Sequence, residues 1–174
     1  MRSLCALLAA LLLATVGTTA AGAISTPNDR QWPGVYIQDQ IIRAIVHIAL
    51  AGAADWLVKP ACRAVLDDFR DETGVLLSEK MAQLGVDEIT YLGRLRFRDA
   101  SFAPQCAKPV TVMFTTPGSK VVFVCGRQLE RLARQDRAFL NVLVIHEVLH
   151  TLGLGENPPS SNAITVKVSQ RCRR

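Results

Sequence analysis

The chain is poor in histidine: only His47, His146 and His150 occur among its 174 residues. It has no internal repeat and no low-complexity linker, which argues against a repeat array or a string of modules. No two of its five cysteines are spaced like a zinc knuckle, so no four-cysteine metal module is expected. Neither sign of charge dominates. Lys and Arg number 20 against 15 Asp and Glu, a formal +5. That excess is too small for a nucleic-acid surface, and the Arg171-Cys172-Arg173-Arg174 end reads as a solvated tail. The most the charge points to is an anionic surface such as a cell wall.

The N-terminus reads as a signal peptide. Arg2 is followed by an apolar run from Leu4 to Val16 and by the small-residue site Ala21-Gly22-Ala23. The run is too short, and too soon followed by polar residues, to span a membrane. An uncleaved anchor is the alternative. Residues 1–23 are therefore expected to be removed, leaving 24–174 as one domain that is secreted or periplasmic, with no stable membrane insertion. Four cysteines remain in it: Cys62, Cys106, Cys125 and Cys172. An even number in a secreted chain predicts two disulfides, with three connectivities open. Cys106 and Cys125 flank a predicted hairpin, which favours Cys106–Cys125 and, by remainder, Cys62–Cys172.

The predicted fold class is α+β, with N-terminal helices, a small sheet containing a hairpin, and a C-terminal helix carrying the site. Residues 24–34 read as an irregular lead-in. Val35 to Val58 is read as helical, with Ile37, Ile41, Ile45 and Ile48 at helical spacing. Pro60 opens a second helix to about Glu72, closed by Gly74, and Val75 to Leu84 a third. Ile89 to Phe97 reads as a strand, because Leu95 and Phe97 alternate with arginines. Val110–Thr115 and Lys120–Cys125 flank Thr116-Pro117-Gly118-Ser119, a hairpin signal. A short helix over Gln128–Arg134 follows, then a long one capped by Asp136, then a last one capped by Ser160 or Ser161 and running to Gln170. Trp32 and Trp56 are expected in the core or a lid. Asp67, Asp68, Asp71 and Glu72 are expected on a solvated helix face, and His47 as an ordinary packed histidine.

The chemistry is concentrated in His146-Glu147-Val148-Leu149-His150-Thr151-Leu152-Gly153-Leu154-Gly155-Glu156. Residues four apart share one face of a helix, so His146 and His150 aim two imidazoles at one point. Glu147, one residue past the first of them, reaches a water held there. None of the 18 residues after Glu156 is Asp, Glu or His, so the downstream candidates for a further ligand are Glu156 and one other strong donor, Cys172, which is expected in a disulfide. His47 or an upstream carboxylate are the remaining rivals.

The HExxH segment resembles the zinc-peptidase signature of the zincins. Its continuation, HExxHxxGxxE, is similar to the metzincin branch, in which a glycine ends the active-site helix and the third ligand follows three residues later. The resemblance implies one zinc ion held by His146, His150 and Glu156, with Glu147 as catalytic general base. It implies a protein or peptide substrate paired in extended form with a sheet-edge strand. The chain departs from metzincins in having no methionine after Met113 and no tyrosine after Tyr91, hence no methionine turn and no downstream tyrosine. The expected function is a secreted zinc metallopeptidase. The alternatives are a secreted zinc-binding module without turnover, or a zinc hydrolase of other amide bonds such as cell-wall crosslinks.

Overall fold

A computed structural model describes residues 32–173; the signal-peptide reading and residues 24–31 of the lead-in lie outside them. The described residues form a mixed α+β domain of seven α-helices and a four-stranded mixed sheet.

Chain entry differs from the expectation. Val35–Tyr36 is a short strand, β1, and helix α1 begins only at Gln40, running to Leu57. The cause is local: the Asp39 carboxylate accepts from the N–H groups of Ile41 and Ile42 and sets the helix start there. The buried face of α1 is Ile42, Val46, Ala49, Leu50, Ala53, Ala54 and Leu57, whereas Ile41 and Ile48 are exposed. This is the one described helix long and apolar enough to cross a membrane. Its buried face is packed largely on the helix that carries the histidine motif.

The second helix is also shorter than expected. Helix α2 spans Pro60–Arg63 and tightens into a 3-10 turn over Ala64–Asp67. The chain then turns at Asp71, whose carboxylate accepts from the N–H groups of Thr73 and Val75 and from Lys80. Asp71 is thus buried and ion-paired, and Asp68 is bound by Arg171 through two nitrogens at 2.7 and 2.8 Å. Of the acidic run, Asp67 and Glu72 are exposed as expected while Asp68 and Asp71 are engaged, and the basic end is not a free tail: Arg173 also binds Asp136 at 3.0 Å.

Helix α3, Leu77–Leu84, begins two residues later than expected and ends at Leu84 as expected, with Gly85 as its cap. Residues expected to open a strand instead form helix α4, Glu88–Gly93, because Asp87 caps it by accepting from the Thr90 N–H. The alternation holds only beyond it, where Leu95 and Phe97 are buried and β2 spans Arg96–Asp99. The hairpin forms with shorter strands, β3 Met113–Phe114 and β4 Val121–Val124. Gly118, at φ +77°, takes the third turn position that follows Pro117, and the Ser119 N–H closes on the Thr116 carbonyl. Sheet order is β1-β2-β4-β3, with β1, β2 and β4 parallel and β3 antiparallel at the edge.

Helix α5, Gly126–Gln135, leads to α6, Arg137–Thr151, capped by Asp136. Every residue of α6 from Val144 to Thr151 is buried, so this helix runs through the core. Helix α7, Ser161–Cys172, is capped by Ser160. Cys62 is bonded to Cys172 and Cys106 to Cys125, the pairing favoured from the sequence. Two disulfides fit an oxidising, extracellular location. Trp32 is buried and Trp56 packs against the core.

Candidate metal centre

The face of α6 turned to solvent is a floor. Phe139, Leu143, His146, Glu147 and His150 recur at helical spacing and line a cleft of about 700 Å³. The edge strand β3 supplies one wall of this cleft, and Ser161, Asn162 and Thr165 of α7 supply another.

Helix α6 ends by a double closure. The N–H of Gly153 donates to the carbonyl of His150 at 2.8 Å, and that of Leu154 to the carbonyl of Leu149 at 3.1 Å. This is the Schellman arrangement, and it requires the positive φ of +109° that Gly153 adopts. The His150 carbonyl also accepts from Gly118, so the hairpin turn is tied to the helix end. The chain then doubles back and brings Glu156 over the two imidazoles.

Three donor atoms converge. His146 Nε2 and His150 Nε2 are 3.0 Å apart, and Glu156 Oε1 lies 3.3 Å from the second and 3.9 Å from the first. Ligands about 2.1 Å from a tetrahedral ion sit about 3.4 Å from one another, so these spacings suit a shared ion. The outer nitrogens are engaged: His150 Nδ1 with the Leu154 carbonyl at 2.7 Å, His146 Nδ1 with Thr165 Oγ1 at 3.0 Å. Such partners aim the Nε2 lone pairs inward. Burial, aided by the neighbouring His150, pushes His146 down to about 3, so its ring is neutral near pH 7, the form that binds a metal.

Glu147 is buried beside this group. Burial and then the charge of Glu156 push its carboxyl up to about 8, and its Oε2 has no hydrogen-bond partner in the protein. A buried carboxylate oxygen left this way is relieved by a nearby cation or a bound water. The residues present therefore fit a metal ion: His146, His150 and Glu156 form a group that can hold one, and no comparable group of His, Cys, Asp or Glu occurs elsewhere among the described residues.

His47 stands apart, part-buried on α1, with burial and Arg43 holding its pKa below the usual value. Among the described residues no Arg or Tyr lines the cleft. Tyr91 is buried beneath the end of α6, donating to Thr151 Oγ1 at 3.0 Å and accepting from Lys120 at 2.6 Å. Thr165 and the Leu154 carbonyl escaped the sequence reading. A threonine 19 residues past His146 carries no local signal, and only the antiparallel packing of α7 on α6 brings it there. No protein-family model matches the chain, and comparison with curated proteins and with solved structures likewise found no match.

Proposed function

We propose that the protein is a secreted, zinc-dependent hydrolase of peptide bonds, in keeping with the likeness of its motif to that of the zincins. The observation that carries the reading is the buried carboxylate of Glu147, its Oε2 without a hydrogen-bond partner in the protein, beside three convergent donors at the floor of a cleft. Two imidazoles and one carboxylate suit zinc better than calcium or magnesium, which take oxygen ligands. His146, His150 and Glu156 would hold it. When bound, zinc supplies Lewis acidity and a water acidic enough to attack at neutral pH.

The chain's own groups do the rest. Glu147 takes the proton of the attacking water and delivers it to the leaving amine. Its apolar surroundings favour the protonated form, which helps the second of these transfers.

The sheet edge orients substrate. The Cys125 N–H bonds to the Val112 carbonyl at 2.9 Å, beside the Met113–Val124 pair, which makes that pair the non-hydrogen-bonded kind. The N–H and C=O of Met113 therefore point away from β4. An extended peptide laid in the cleft pairs with them as an added strand.

The test is direct. Zinc content is measured on the purified protein, and a pool of unstructured proteins is incubated with it, with and without chelator. Stoichiometric zinc and chelator-sensitive cleavage support the reading. Zinc without cleavage of the pool contradicts it and favours a binding module, or a hydrolase of other amide bonds such as cell-wall crosslinks. Absence of zinc removes all three.

A further inference from the structure

We propose that the open face of the sheet is a docking surface for an acidic stretch of polypeptide, which it grips a few residues away from the bond held in the cleft. The surface stands on its own observations; the choice of a polypeptide as its occupant rests on the peptidase reading above.

Side chains alternate along a strand, so each face of the sheet takes every second residue. One face is sealed: Phe97, Val122, Val124 and Met113 are buried in the core. The other carries Tyr36, Arg98, Phe123 and Phe114 in a single row, because Tyr36 pairs with Arg98, Arg98 with Phe123 and Phe123 with Phe114. Arg96 and its partner Val121 stand beside that row. Tyr36 is 57% exposed, both arginines are exposed, and Phe114, Val121 and Phe123 are half-buried. Alternation explains why polar side chains stand on this face. It does not explain three aromatic rings in one row of it.

The row is an organised surface. The Phe114 and Phe123 rings stack with 5.2 Å between centroids, and the Arg98 guanidinium lies 6.0 Å from the centre of the Tyr36 ring. Neighbouring strands are about 4.8 Å apart, so the row spans about 14 Å, the reach of about four extended residues. Phe114 also lines the cleft. A chain that leaves the cleft over Phe114 therefore meets Phe123, Arg98 and Tyr36 in turn.

Charge names the occupant. Arg96 and Arg98 have no ion-pair partner among the described residues, whereas Arg63, Arg134, Arg171 and Arg173 each hold a carboxylate. Asp99, next to Arg98 in sequence, accepts from the N–H and hydroxyl of Ser101 instead. Two unpaired guanidinium groups rooted about 7 Å apart on one strand face bind carboxylates through paired N–H donors. The neighbouring rings cover the apolar stems and backbone of the same chain. A peptide with two or more Asp or Glu about four residues from the scissile bond meets both features.

The experiment uses the whole protein, as wild type, as Arg96→Glu/Arg98→Glu and as Arg43→Glu/Arg137→Glu, which makes the same change of charge at exposed helical positions. Thermal unfolding checks that each variant folds; if the first does not, Arg96→Gln/Arg98→Gln takes its place. Binding of a dye-labelled octaglutamate peptide is read by anisotropy at about 0.05 M and about 0.5 M salt, with polygalacturonate as competitor. Wild type and the helical variant should bind alike at low salt, and the sheet variant at least about 10-fold more weakly, with high salt removing most of the difference. Equal binding by wild type and the sheet variant overturns the inference. Polygalacturonate that displaces the peptide from wild type at a far lower concentration of carboxylate overturns the polypeptide occupant in favour of an acidic glycan. The second arm is cleavage of peptides carrying a neutral or an acidic stretch about four residues to one side or the other of the cut. On one side the acidic stretch should lower KM about 10-fold in the wild type and have no effect in the sheet variant. A wild type that cleaves with a KM indifferent to the stretch on both sides overturns the inference alone. A wild type that cleaves none of the peptides overturns the peptidase reading, and the binding arm then decides the surface.

Discussion

The carbonyl of Leu154 accepts a hydrogen bond from Nδ1 of His150 at 2.7 Å, while the N–H of the same Leu154 is bonded to Leu149. One turn thus ends α6, orients the ring of its last histidine and returns the chain to present Glu156. The geometry depends on Gly153, which meets a second constraint besides its φ. A Cβ at this position would lie 3.1 Å from the Cβ of Asp71.

Gly153→Val should therefore be harmful although glycine touches no metal. A β-branched residue resists the positive φ, and its side chain meets Asp71; the expected loss is about 1–3 kcal/mol of stability. Zinc affinity should fall as well, because both the His150 ring and Glu156 follow the turn. Denaturant unfolding and chelator competition measure the two effects on one sample.

The Asp71 carboxylate stabilises the loop beneath that turn, where the Glu72 N–H also donates to the Gly153 carbonyl at 3.2 Å. Lys80 first, then the Thr73 hydroxyl, hold Asp71 well below the usual carboxylate range. A group whose pKa is lower folded than unfolded contributes stability that is complete above the unfolded value, near 4, and is lost as pH falls toward the folded value. Wild type should thus lose stability below about pH 4, and Asp71→Asn should be less stable at neutral pH with a flatter acid limb. Unfolding midpoints taken across pH 2–7 check both.

The two disulfides should differ in weight. Cys62–Cys172 closes a separation of 110 residues and Cys106–Cys125 one of 19. By loop-closure entropy the first contributes about 4–5 kcal/mol and the second about 3 kcal/mol. Replacing each pair by serine and comparing denaturant midpoints tests the order. Equal losses would mean that native-state contacts, not loop length, decide.

The donor motif was legible in the sequence because everything in it is local. Spacing of four places His146 and His150 on one face, and a glycine three residues on marks the helix end. Asp136, Ser160 and Pro117-Gly118 were readable for the same reason, as caps and a turn made by near neighbours. What was misread depends on distant partners or on a rival local cap. Val35–Tyr36 becomes strand by pairing with Phe97 and Arg98. Residues 88–93 become helix because Asp87 outweighs the apolar pattern that follows. Asp68 and Asp71 read as solvated because Arg171 and Lys80 arrive through the fold, and Thr165 meets His146 only once α7 has packed.

Glu156 distinguishes this centre from one completed by an upstream residue. Glu156→Ala should weaken zinc binding about as much as loss of either histidine, and Glu156→His should partly restore it, since imidazole is a good zinc ligand. Chelator competition on the three variants is the check. Wild-type affinity in Glu156→Ala would place the third ligand elsewhere.

The central claim is that Glu147 moves the proton at a zinc centre made by His146, His150 and Glu156. The most direct measurement is zinc content and peptide cleavage on the same preparation of wild type and Glu147→Gln. Glutamine keeps the shape but cannot take the proton, so the variant should retain one zinc and cleave at least about 100-fold more slowly. A Glu147→Gln protein that holds zinc and cleaves at the wild-type rate would contradict the account.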